Sequence, residues 1–125
     1  MKITKIKEIF SAEDETVYEM VGCSDKSGGT KYHNIVQVLM PSGCSGGSHY
    51  HKLAEETYYI LKGEADIVIN GYSFKAVPGM MVSILPGEVH DVINNSNSDF
   101  ELLAISAPAF SPDDSIDCDM PPMRE

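Results

Sequence analysis

At 125 residues the chain has room for one domain with one core, and a hydrophobic content of 42% argues against disorder. Nineteen acidic residues against nine basic ones leave a formal net charge of −10, which repels phosphate backbones and anionic headgroups, so neither nucleic acid nor membrane is an expected partner. Apolar runs stop after a few residues, far short of the ~20 of a spanning helix. The basic start Met1–Glu8 has no apolar stretch behind it and does not read as a signal peptide.

Along the chain, Ile3–Phe10 offers either one short helical turn or an edge strand. Glycine and proline then punctuate at short, even intervals: Ser27–Gly29, Pro41–Gly47, Gly63, Asn70–Gly71, Pro78–Gly79 and Pro86–Gly87. Between these breaks lie runs rich in Val, Ile and Tyr, which predict strands at Asn34–Met40, Thr57–Leu61, Ala65–Asn70, Ser73–Val77, Met80–Leu85, Val89–Asn94 and Phe100–Ser106. Asn70–Gly71 predicts a hairpin, because a type I′ turn needs positive φ at both central residues and Asn and Gly tolerate it. Many short strands with regular turns point to an all-β sandwich or barrel. Pro108–Glu125 holds three further prolines, four aspartates and a glutamate, and predicts an extended arm lying across the barrel or a neighbour. Cys23, Cys44 and Cys118 have no C-x-x-C spacing and read as reduced thiols, in keeping with a cytoplasmic location. Met40, Met80 and Met81 read as barrel filling.

Four histidines occur: His33, His49, His51 and His90. His49 and His51 stand at i and i+2, a spacing that puts both imidazoles on one face of a strand. Glu55 and Glu56 follow within a short loop, and His90 opens another strand after a Pro-Gly turn. Three imidazoles and one carboxylate form a borderline-soft donor set suited to one divalent transition metal ion: Fe, Mn, Ni, Cu, Co or Zn. The glycine-rich Gly43–Gly47 lacks the Gly-Lys-Ser/Thr ending of a phosphate loop and leads into a strand, so that reading is rejected.

Gly43, His49, His51, Glu56 and Gly63 stand at the spacing of the first cupin motif, and Gly79, Gly87, His90 and Asn94 match the second. On these residues the chain resembles the cupin family over positions 35 to 106. One departure is Leu85, where the family usually has proline two residues before Gly87; Pro86 lies between. The resemblance implies a small antiparallel β-barrel or jelly roll, often dimeric, with a metal inside near one mouth. It implies His49, His51, Glu56 and His90 as ligands, Glu56 being chosen over Glu55 by its distance to Gly63. Residues 1–34 would then be N-terminal strands of the barrel, 35–106 the core with both motifs, and 107–125 an acidic, proline-rich arm, one domain in all.

If Glu56 faces inward, alternation turns Tyr58 and Ile60 inward too, and Tyr59 and Leu61 outward towards a second sheet or a partner, so a homodimer is expected. Ile60, Val82 and Ile84 are the expected apolar wall of the substrate pocket. Tyr58 and His33 are the candidate catalytic residues, His33 as a pocket acid or base. Four protein ligands on a six-coordinate ion leave two positions for a small-molecule substrate, water or dioxygen. A dioxygenase-like enzyme acting on a small uncharged or enolisable substrate is the first expectation. A redox-neutral isomerase, epimerase or lyase is the second, and a non-catalytic binding module the third. Few cations lie beside the motifs, which disfavours phosphorylated substrates.

Overall fold

The computed structural model describes residues 1, 3–5, 7–11, 14–23 and 28–124, with backbone alone for 7–10. Within these the strands are β1 (Lys7–Ser11), β2 (Thr16–Val21), β3 (Asn34–Met40), β4 (His49–His51), β5 (Glu55–Lys62), β6 (Ala65–Ile69), β7 (Tyr72–Ala76), β8 (Met81–Ile84), β9 (His90–Ile93), β10 (Phe100–Ala107) and β11 (Ser115–Asp117). One 3-10 turn, Pro112–Asp114, precedes β11, and no α-helix occurs among the described residues. Two antiparallel sheets result, in the orders β1-β2-β3-β10-β5-β8 and β11-β4-β9-β6-β7. No helix of the described residues is long and apolar enough to cross a membrane.

The seven expected strands all form, their ends moved by one or two residues at most. The N-terminal segment makes an edge strand, β1, rather than a helical turn; Lys2, Ile6 and Ser27 lie outside the described residues, as does Glu125. Alternation explains the layering. Along β10, Phe100, Leu102, Ala104 and Ser106 are buried while the residues between them are more open. Along β5, Glu56, Tyr58 and Ile60 are buried in the same way. These inward rows meet Ala65, Ile67, Ala76 and Val92 of the other sheet in one apolar cluster. Burying a side chain the size of Phe100 or Ile60 contributes roughly 1.5–3 kcal/mol, so this seam holds the two sheets together. Met40 belongs to the cluster and Met80 packs against it, but Met81 is 71% exposed because β8 ends the sheet and turns it outward.

Two glycines stand where a side chain would not fit, one of them in the expected hairpin. Asn70 and Gly71 both take positive φ, 49° and 84°, closing the β6–β7 turn. Gly63, at φ 76°, presses so closely on the Asp99 carbonyl that any Cβ would collide with it, which explains a glycine at the end of β5.

The C-terminal segment runs across the second sheet. β11 pairs antiparallel with β4, in the register Ser115↔His51, Ile116↔Tyr50 and Asp117↔His49. Further on, the Arg124 amide donates to the Gly71 carbonyl (2.8 Å), and the Pro122 carbonyl occupies the space a Gly71 side chain would need.

Candidate metal centre

The site begins with β4, a strand of three residues. His49 and His51 leave the same face of it, and its ladder with β9 sets His49 directly opposite His90. The ligand-capable nitrogens of the three rings all lie within 4.8 Å of one another. Glu56 completes the group from the facing sheet: its Oε2 is 3.7 Å from His51 Nε2 and its Oε1 3.5 Å from His90 Nε2. Glu55, one residue earlier, is exposed.

Each side chain is aimed by its surroundings. His49 Nδ1 and His90 Nδ1 lie 3.0 and 2.9 Å from the carbonyls of Gly47 and Glu88. A carbonyl only accepts, so each Nδ1 carries the proton and each Nε2 presents its lone pair. The Ser106 hydroxyl, opposite Glu56 in the β5–β10 ladder, donates to Glu56 Oε2 at 3.0 Å. The turn before His90 is held from three sides. Glu88 Oε1 accepts from the Leu85 amide (2.7 Å), the Gly87 amide donates to the His51 carbonyl (2.7 Å), and Asn70 Oδ1 accepts from the Val89 amide (2.9 Å). The departure at Leu85 thus supplies an N–H that a proline would lack. Asn94, wholly buried, holds the other end of β9: its Nδ2 donates to the Met40 and Ser98 carbonyls and its backbone bonds to Gly43 and Cys44.

The electrostatics favour a cation. His51 Nε2, His90 Nε2 and Glu56 Oε1 are buried without a hydrogen-bond partner, although an unpaired buried polar atom costs about 1–3 kcal/mol. Three such atoms converging on one point fit a shared ion. Burial pushes the His51 pKa below its ordinary value, so its neutral, metal-binding form is favoured. Burial works against ionisation of Glu56 too, but His90 and His51, when their rings are protonated, and the Tyr58 hydroxyl outweigh it and hold its pKa low.

His49, His51 and Glu56 open into a cavity of about 520 Å³. Its apolar wall is Val17, Val36 and Val38 with Val92, Leu102 and Ala104. Here the expected wall is corrected: Ile60, Val82 and Ile84 do not line the cavity but fill the core. The cavity lies under β2, β3 and β10 on one side and β4, β9 and β11 on the other, and no residue of β6, β7 or β8 reaches it. Tyr58 is buried, lines the cavity and meets the His90 ring edge-on at 6.2 Å. Burial and the neighbouring Glu56 raise its pKa well above the usual tyrosine range, so it stays protonated. His33 is corrected as well: it is exposed and away from the cavity. Asn34, the next residue, takes the inward position, and alternation turns His33 out.

Several cavity residues escaped the sequence reading. Ser106 was within reach, since it continues the inward row of β10. Glu15 lines the wall just before β2, a strand whose pattern is too irregular to anticipate. Burial raises its pKa, and Asp14, Asp91 and Glu56 add to the shift. Phe110, Ser115 and Asp117 reach the cavity from the C-terminal segment.

Residues 35–106, more than half of the chain, match the Cupin domain family, and the chain belongs to that family. It is 28% identical over 82 residues to an uncharacterized protein of Methanocaldococcus jannaschii, and 38% identical over 71 residues to an oxalate-binding protein of Thermotoga maritima. These matches cover 66% and 57% of this chain, and it spans only 66% and 59% of those relatives' lengths. Among solved structures, Pac13 of Streptomyces, a nucleoside dehydratase, superposes with a TM-score of 0.74 at 16% identity, covering 97% of this chain and 92% of that one. At that identity the likeness concerns the fold.

Proposed function

We propose that this cupin holds one divalent transition metal through His49, His51, Glu56 and His90, and is an enzyme that uses it to bind a small oxygen-donor substrate for redox-neutral proton transfer, as in an isomerase or lyase. The observation that carries the reading is the convergence of buried, unpartnered Nε2 and Oε atoms at one end of a 520 Å³ cavity. A divalent ion there supplies Lewis acidity to a substrate carbonyl or hydroxyl. The protein supplies the rest. Tyr58 holds a proton at its hydroxyl beside Glu56, and Glu15 offers a carboxyl that can take or return one across the cavity. The valine-rich wall excludes water and leaves room for an uncharged carbon skeleton. The relative named for binding oxalate supports an oxygen-donor ligand, and the dehydratase neighbour supports chemistry without net oxidation.

The apolar wall also suits dioxygen, which keeps the dioxygenase-like reading as the second one. Metal analysis of the purified protein, followed by anaerobic turnover in deuterated water, separates the two. Metal-dependent exchange of acidic C–H positions across a panel of hydroxycarbonyl compounds supports the proposal. Oxygen uptake by an iron- or copper-loaded protein, with no anaerobic exchange, replaces it with the dioxygenase.

A homodimer is proposed through the outer face of the first sheet. The ladders set Leu103, Tyr59 and Met81 in one row across β10, β5 and β8, and Ile105 lies in the next. This face would meet its copy in a second molecule; light scattering at the mass of one chain would refute it.

A further inference from the structure

We propose that Asp117 and Glu15 make the cavity selective for substrates that are uncharged or carry an amine, against substrates that carry a free carboxylate or phosphate. This rests on the metal-centre reading above and names the ligand class that centre would serve.

The placement of Asp117 follows from strand register. β11 sets Asp117 opposite His49 and Ser115 opposite His51. Directly opposed residues of an antiparallel pair share a face, with Cβ atoms about 4.5–5.5 Å apart. The Asp117 side chain therefore leaves the sheet on the side of the metal-facing rings, and it lines the cavity at its exposed mouth. Glu15 closes in from the other sheet. Its Oε2 lies 3.7 Å, and Asp91 Oδ1 4.0 Å, from the place a side chain on Gly46 would begin. The surface beside Gly46 is thus flanked by the Glu15 and Asp91 carboxylates and the Met40 methyl.

Charge decides what that group is. Among the described residues lining the cavity there is no lysine or arginine. A divalent ion with Glu56 leaves one positive charge at the centre, and Glu15 and Asp117, with Glu19 also in the wall, outweigh it. The raised pKa of Glu15, driven by burial and by its carboxylate neighbours, marks the same negative field. A carboxylate that the metal does not itself hold meets repulsion with no cation to answer it. A hydroxyl, amide or ammonium group finds acceptors on two sides.

The test anchors three probes identically and varies one group. Acetohydroxamate, glycine hydroxamate and malonic monohydroxamate share a metal-chelating head and carry a neutral, a cationic and an anionic tail. They are titrated into the full chain loaded with divalent cobalt, whose absorbance reports chelation. The expected result is binding of the anionic probe about tenfold weaker than the neutral one, with the cationic probe at least as tight as the neutral one. In Asp117→Asn and in the Asp117→Asn, Glu15→Gln double variant the ratio of the neutral to the anionic probe's affinity should narrow stepwise. Equal or tighter binding of the anionic probe by the native chain overturns the proposal, as does a full gap in the exposed Asp117→Asn variant. Cobalt uptake is measured first: its absence overturns the metal-centre reading, whereas normal uptake with a flat probe order overturns only the selectivity.

Discussion

His90 has no exposed surface, yet both of its ring nitrogens have a defined job. Nδ1 is tied to the Glu88 carbonyl, and Nε2 faces Glu56 with no hydrogen-bond partner. Replacing it by alanine removes one of three clustered imidazoles and leaves Glu56 buried with less compensation. His90→Ala should weaken metal binding by on the order of a hundredfold or more. Metal content after dialysis checks this, and full occupancy would break the assignment. Glu15 makes a separate prediction, for the metal-free protein. Its pKa is raised above the ordinary 4.5, so its contribution to stability is complete below that value and is lost as pH rises through the raised one. Glu15→Gln should therefore raise the melting temperature by about 3 °C at neutral pH and by nothing near pH 4. Thermal melts of both proteins at the two pH values decide it, and a gain confined to acid would reverse the sign.

At the scale of elements, the weak member is β4. Three residues long, it shares only the His49↔His90 pair with β9, and its other edge is completed by β11. Just before β11, the Asp114 carboxylate accepts from the amides of Leu53 (2.8 Å) and Ala54 (3.1 Å), in the loop that joins His51 to Glu56. Asp114→Ala should lower metal affinity about tenfold through loss of these charge-assisted bonds. Asp114→Asn, which keeps one acceptor oxygen, should recover part of the loss; calorimetric titration with zinc would show both, and unchanged affinity in Asp114→Ala would remove the arm from any positioning role. This dependence also explains what the sequence made legible. Alternation of apolar residues marked β5, β6, β9 and β10, because long inward rows repeat a period of two. β4 is too short to show a period, so only the His49–His51 spacing betrayed it. β11 was invisible, since Ser115–Asp117 is mostly polar and forms because an unpaired edge is waiting for it. The clustering of His49, His51 and His90 was readable from spacing and family resemblance, whereas the cavity wall was not. Which half of a sandwich stays hollow depends on side chains meeting across sheets, a relation no strand pattern carries, and so Ile60, Val82 and Ile84 were assigned to the pocket instead of the core.

For the whole molecule, a site built from both sheets links ion binding to folding. β4 and β9 supply the histidines and β5 the carboxylate, so an ion bound among them bridges the two layers. Metal that binds only the folded chain stabilises it by about 2.7 kcal/mol at a hundredfold excess over Kd. Calorimetric melting should rise by several degrees on adding zinc or manganese and fall back with a chelator; equal melting with and without metal would speak against a bridging ion.

The Asn70–Gly71 hairpin reaches further than a turn usually does. Asn70 grips Val89, the neighbour of His90, through both its side chain and its backbone, while Gly71 receives the end of the segment that carries Asp117. One two-residue corner is therefore the shared anchor of a buried histidine of the cluster and an acid at the rim of the cavity. Evolution could retune both together from that corner without altering a residue that touches the ligand, and a mutational scan that looked only inside the cavity would miss the lever.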